Sequence, residues 1–268
     1  LALPGAGLGT AGAALGTGLA ELVAGLYLLY FVLRRSPVLR LEKGEHLRFN
    51  RPQLCTMLCI AAPVASEKVI LTTAQIVSTA IVAPLGTVAI AANSFAITAE
   101  SLCYMPAYGI QSAAAMLVGQ SVGAGRRNMA RRLGWVTVLI GVAVMIITGG
   151  LLYILAPQMM AILTPNPDII ALGARVLRIE AFAEPLFGAS IVTGGVFQGV
   201  GSTLIPTLFN LGTMWGIRIP LAWLAAPRWG LPGVWAAMCL ELCVRGVLYL
   251  TRLVGKRWLP PGDQNEQA

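Results

Sequence analysis

Residues 134–156 read GWVTVLIGVAVMIITGGLLYILA, an apolar run without one charged side chain. About 20 such residues, wound as a helix, cross the ~30 Å hydrocarbon core of a bilayer. A strand does not fit. Membrane barrels are built from segments of about ten residues with alternating polarity, whereas this run is continuous. The stretch therefore specifies a transmembrane helix, and the chain around it repeats the pattern.

Of the 268 residues, 57% are hydrophobic and 11% charged, with a mean hydropathy of +0.76. A soluble domain carries about 25% charged residues, so this composition excludes one. It also excludes intrinsic disorder and, despite a net charge of +8, a basic nucleic-acid binder. Seven apolar segments are legible: Gly12–Leu33, Leu54–Ala83, Thr87–Gln120, Gly134–Ala156, Pro167–Gln198, Thr203–Ala226 and Pro232–Leu253. The third and fifth are too long for one straight span. Each carries a proline (Pro106, Pro185) where a bend is expected. The fold class is all-α, polytopic, with about seven transmembrane helices.

Positive charge sets the sidedness. Arg34, Arg35, Arg40, Lys43, Arg48 and Arg51 lie between the first two spans. Arg126, Arg127, Arg131 and Arg132 lie between the third and fourth, and Arg252, Lys256 and Arg257 close the seventh. An even number of spans separates each pair of these places, so they share a side. By the positive-inside rule that side is cytoplasmic, giving an outside N-terminus and a cytoplasmic C-terminus. The linkers around Pro84, over Pro157–Asp168 and at Pro227–Pro232 fall on the other side. An inner (plasma) membrane location, multi-pass, is expected.

The two ends resemble each other. At an offset of 221, Gly9, Gly12, Leu19, Val23, Gly25 and Leu29 fall on Gly230, Gly233, Leu240, Val244, Gly246 and Leu250. A period of six helices makes the repeats parallel, a transporter architecture. The first span is then the last helix of a bundle otherwise absent from these residues. The sequence begins with Leu, and the missing spans imply a parent chain of about 440–460 residues. Domains are expected at 1–33 (last helix of the first bundle), 34–53 (cytoplasmic linker), 54–257 (six-helix bundle) and 258–268 (tail).

Enzyme chemistry has no footing. His46, the one histidine, sits in a loop, and no HExxH, P-loop or dinucleotide glycine pattern occurs. Five cysteines (Cys55, Cys59, Cys103, Cys239, Cys243) lie within spans without His or carboxylate at ligand spacing. No metal and no cofactor are expected. The informative residues are intramembrane carboxylates, because a charge in hydrocarbon is expensive and marks function: Glu67, Glu100, Glu180, Glu184 and Glu241, with Glu21 in the related first span. Glu180 and Glu184 are one helical turn apart. Lys68, Arg178, Arg218 and Arg245 are available partners, with Glu184–Arg218 and Glu241–Arg245 as candidate pairs. Gln75, Asn93, Gln111 and Asn210 add polar groups within spans. Tyr104, Phe182, Phe187 and Trp215 can stack on a cation. Small residues four apart, Gly119/Gly123 and Gly195/Gly199, suit close helix crossings.

Three motif blocks bring a family into view. GTVAIAANSFAI (Gly86–Ile97) and YMPAYGIQSAAAMLVGQSVGAGRRNMARR (Tyr104–Arg132) come first. GGVFQGVGSTLIPTLFNLGTMWGIRIPLAWL (Gly194–Leu224) and GLPGVWAA (Gly230–Ala237) follow. Together they resemble the multidrug and toxic compound extrusion (MATE) transporters over about residues 1–257. Gln198 and Ser202 depart from the family pattern, which usually has a basic residue and Asp there. The resemblance implies two six-helix bundles around a cavity that opens alternately to either side. It implies an antiporter exporting cationic, amphipathic small molecules against H+ or Na+, embedded in the lipid bilayer, with the first bundle as partner and no nucleic acid. It makes Glu67, on the helix corresponding to the family's seventh, and Glu180 and Glu184, near its tenth, candidates for cation coupling. Glu100, Gln75, Asn93, Tyr104 and Asn210 complete the candidate site. A lipid-linked saccharide flippase of the same superfamily is the alternative; its cavity would be basic.

Overall fold

The computed structural model describes residues 9–34, 51–255 and 258–259. Among the described residues the chain is helical and has no strand. The expected linker, with His46 and most of its arginines, lies outside them, as does most of the tail. The chain divides into two units, Leu1–Leu54 and Cys55–Ala268. The first holds α1 (Gly9–Arg34). The second holds most of α2 (Arg51–Val82), then α3 (Thr87–Gly123), α4 (Arg127–Leu163), α5 (Pro167–Glu180), α6 (Glu184–Gly199), α7 (Leu204–Thr213) and α8 (Ile219–Val254). A π-helical turn, Met214–Arg218, joins α7 to α8.

Among the described residues five stretches are long and apolar enough to cross a membrane: Ala14–Arg34, Lys68–Leu85, Thr87–Gly123, Arg127–Leu163 and Leu204–Val254. The seven expected crossings follow from two features of these helices. The last stretch is a hairpin. Its backbone is helical on both sides of Gly230, which sits at φ 61° and ψ −147°, a region that a side chain all but forbids. The Arg218 guanidinium meets Met238, and the Tyr249 hydroxyl donates to the carbonyl of Pro206 at 3.1 Å. Each contact joins a residue before Gly230 to one after it, so the chain doubles back near there. The expected Pro227–Pro232 loop is thus reduced to one glycine. The fifth expected span is instead two short helices, α5 and α6, with the break at Ala181–Ala183.

The fourth span is longer than its apolar run. α4 covers Arg127–Leu163, about 55 Å at 1.5 Å per residue, because neither the basic first turns nor Pro157 stops the helix. The expected Pro157–Asp168 loop shrinks to residues 164–166, where the Asn166 side chain accepts from the Asp168 N–H at 3.0 Å and caps α5. Pro106 likewise lies within α3 without ending it.

α3 is the central element, packed against α4, α5 and α6, while α8 packs on α5 and α6. Its buried face is a stripe of small residues: Ala89, Ala92, Ala96, Ala99, Cys103, Ala107 and Ala114. Spacings of three, four and seven place them on one side of the helix. At the far end α3 and α6 touch backbone to backbone. A Cβ on Gly119 would lie 3.2 Å from the Gly199 carbonyl, and one on Gly195 or Gly199 would strike the backbone of Gln111 or Ala115. The small-residue spacing foreseen at Gly119, Gly195 and Gly199 is therefore the α3–α6 crossing.

Candidate functional site

Proline 185 makes the site possible. It has no N–H to close on the Ala181 carbonyl, and its ring crowds that carbonyl. The chain turns through Ala181–Ala183, held by Ala181 N–H on Leu177 at 3.0 Å and Ala183 N–H on Glu180 at 2.8 Å. The break leaves Glu180 as the last residue of α5 and Glu184 as the first of α6. At 14 residues from the start of α5, Glu180 lies about 20 Å along the helix. The turn fits because α4 supplies Gly149 opposite it. A Cβ on Gly149 would lie 2.9 Å from the Glu184 Cβ and 3.3 Å from the Ala181 oxygen.

Four carboxylates converge here. Glu100 comes from α3, Glu180 and Glu184 from the break, and Glu241 from α8; their exposures are 6%, 1%, 0% and 0%. Glu100, Arg218, Glu184 and Glu241 all act electrostatically on Glu180. Arg218, from the π-helical turn, is near enough to Glu241, Glu180 and Glu100 to act on them electrostatically. The expected Glu184–Arg218 pair is not formed; the Arg218 guanidinium instead meets Met238. The expected Glu241–Arg245 pair is formed, at 2.9 Å, between side chains 0% and 11% exposed. It also places Arg245 over the Phe187 ring, 5.6 Å from its centroid.

Hydrogen bonding is incomplete. Both carboxylate oxygens of Glu180, both of Glu184 and one of Glu241 are buried without a hydrogen-bond partner, although the Cys103 thiol lies close to Glu184. An isolated buried charge is costly unless it is paired. Four carboxylates against two guanidiniums leave an excess of negative charge that a cation or protons can match. Among the described residues no three of His, Cys, Asp or Glu gather tightly enough to ligate a metal ion.

The other candidates lie on either side of this cluster. Asn93 accepts from the Trp235 indole N–H at 3.0 Å. It lines a small cavity of about 20 Å³ with Gln75, Ser78 and Arg218. Tyr104 stands edge-on to Phe187 and Tyr108, with centroids 5.7 Å apart in each pair. Asn210 accepts from the Tyr249 hydroxyl at 3.0 Å. Asn210, Gln111, Ser190, Arg245 and Lys68 line a second cavity of about 110 Å³. Glu67 lies on α2, but its side chain is outside the described residues. Phe182 and Trp215 are exposed and do not join the cluster. Gly149 was missed in the sequence, although a Gly-Gly pair in mid-span carried a signal.

The family model MatE matches residues 63–224. A probable multidrug resistance protein NorM of Thermotoga maritima is 27% identical over 260 residues, covering 94% of this chain and 54% of its own length. A protein of the same name from Chromobacterium violaceum is 30% identical over 186 residues, covering 66% of the chain and 40% of that protein. An outward-facing multidrug resistance MATE transporter of the MOP superfamily superposes with a TM-score of 0.80 at 18% identity, over 94% of this chain and 57% of that one. The Vibrio cholerae transporter VcmN in its bent form gives 0.73 at 15% identity, over 91% and 53%. The chain spans about half the length of the relatives it matches.

Proposed function

The chain belongs to the MatE family of membrane transporters, and from that premise we propose that it serves a secondary antiporter that exports cationic, amphipathic small molecules in exchange for H+ or Na+. The observation that carries this reading is the buried carboxylate excess at the α5–α6 break. Glu180 and Glu184, 1% and 0% exposed and without hydrogen bonds, are the groups a coupling cation would satisfy. A helix broken within a span also exposes helix ends, which coordinate ions in other transporter folds. The coupling ion and the drug would compete for one pool of negative charge. Each would favour the access state in which it binds more tightly.

The residues take roles accordingly. Glu180 and Glu184 hold the exchangeable cation. Glu100 shares their field, and Arg218 and Glu241 tune it. The flippase alternative calls for a basic cavity. In the 110 Å³ cavity the charge of Arg245 is already matched by Glu241, which leaves Lys68, so the antiporter is favoured. The test is dye export from cells carrying Glu180→Gln or Glu184→Gln in the full-length protein. Export falling to background with normal protein in the membrane supports the reading; undiminished export in both variants sinks it.

A further inference from the structure

A groove of about 820 Å³ runs between α4, α5 and α8. Tyr153 and Pro157 of α4 line it, with Arg175, Arg178 and Phe182 on and just beyond α5, and Cys239 of α8. Arg175 and Arg178 occupy the exposed face of α5, opposite the face that buries Glu180. Arg178 is held in place. Its Nε donates to the Tyr153 carbonyl at 3.4 Å, and its guanidinium lies 5.7 Å from the Tyr153 ring centroid. That ring stands edge-on to Phe182, which is 72% exposed. Among the described residues no carboxylate lies within ion-pair distance of either arginine.

The depth of the groove suggests its occupant. Tyr153 comes 20 residues into α4 counted from Gly134, or about 30 Å along the helix, the thickness of the hydrocarbon core. Arg178 thus sits at the bilayer edge opposite Arg127, Arg131 and Arg132, and Arg175 lies one turn further out. Beside the groove α4 exposes Ile147, Leu151 and Ile154 at 64%, 51% and 67%, a face suited to acyl chains. Two planar guanidiniums at this level suit the oxygens of a phosphate.

We propose that this groove binds an anionic phospholipid, with Arg175 and Arg178 on its phosphate and its acyl chains along Phe182 and the apolar face of α4. The test is native mass spectrometry of the purified full-length protein with phosphatidylglycerol, phosphatidylcholine or inorganic phosphate. Wild type is expected to retain phosphatidylglycerol in clear preference to phosphatidylcholine. Arg175→Gln/Arg178→Gln is expected to lose that preference by roughly tenfold or more, since charge-assisted bonds to phosphate are the strong ones. Arg175→Lys/Arg178→Lys, which keeps the charge, should retain part of it and decides the matter if the neutral variant does not fold. Equal retention of both lipids by wild type, an unchanged preference in the glutamine variant, or loss of preference in a folded lysine variant would overturn the proposal. So would displacement of the lipid by inorganic phosphate alone, which would mark a free-anion site, or failure to bind any lipid because another part of the longer protein covers the groove.

Discussion

Glu180 and Glu184 stand on either side of one helix break, the first closing α5 and the second opening α6, and neither carboxylate has a hydrogen-bond partner. A feature kept for stability would satisfy those groups. Replacing an unsatisfied buried carboxylate with a neutral group is neutral or stabilising. Glu180→Gln and Glu184→Gln should therefore leave the melting temperature in detergent unchanged or raised while abolishing coupled export. A clear fall in melting temperature would assign these residues to the structure instead.

Arg245 behaves in the opposite way. Its partner Glu241 is 0% exposed and the pair closes at 2.9 Å, so Arg245→Ala leaves an uncompensated buried charge. The expected loss is about 3–5 kcal/mol, and Glu241→Gln added to Arg245→Ala should recover much of it. Thermal or denaturant unfolding of the single and double variants measures the coupling.

Glycines divide by what lies beside them. Gly195 abuts the Gln111 backbone, whereas a methyl group on Gly150 would meet nothing within 4 Å. Gly195→Ala should destabilise by about 1–3 kcal/mol through overpacking. Gly150→Ala should be neutral or slightly stabilising, since alanine is the better helix former. Yield and melting temperature of the two variants check the contrast.

Gly230 tests the hairpin. Its surroundings are open, but its backbone sits at φ 61°. Gly230→Ala should cost about 1–3 kcal/mol from backbone strain alone, visible as a lowered melting temperature with little change in substrate affinity.

Much of this was legible in the sequence. Apolar runs located the helices, Pro185 located the break, and Gly119, Gly195 and Gly199 located a helix crossing, because each acts through local chemistry. Glu100, Glu180, Glu184 and Glu241 stood out as intramembrane carboxylates before they were seen to cluster, since their cost in hydrocarbon depends on little besides depth. What was not legible depends on tertiary approach. Arg218 meets Met238 rather than Glu184 because of where the π-helical turn enters the bundle. Gly149 matters only because α4 passes the break at that height. The ends of α4 were hidden because Arg127–Leu133 and Pro157 look like loop but continue the helix.

The most direct test of the carboxylate cluster as the exchange site is the affinity of the purified full-length protein for a fluorescent cationic dye, titrated against pH and against Na+. Protons or sodium filling the cluster remove the negative charge that attracts the dye. Wild-type Kd should therefore rise as pH falls or as Na+ increases, and Glu180→Gln/Glu184→Gln should bind the dye weakly with no dependence on either ion. An ion dependence in the double variant equal to that of wild type would contradict the account.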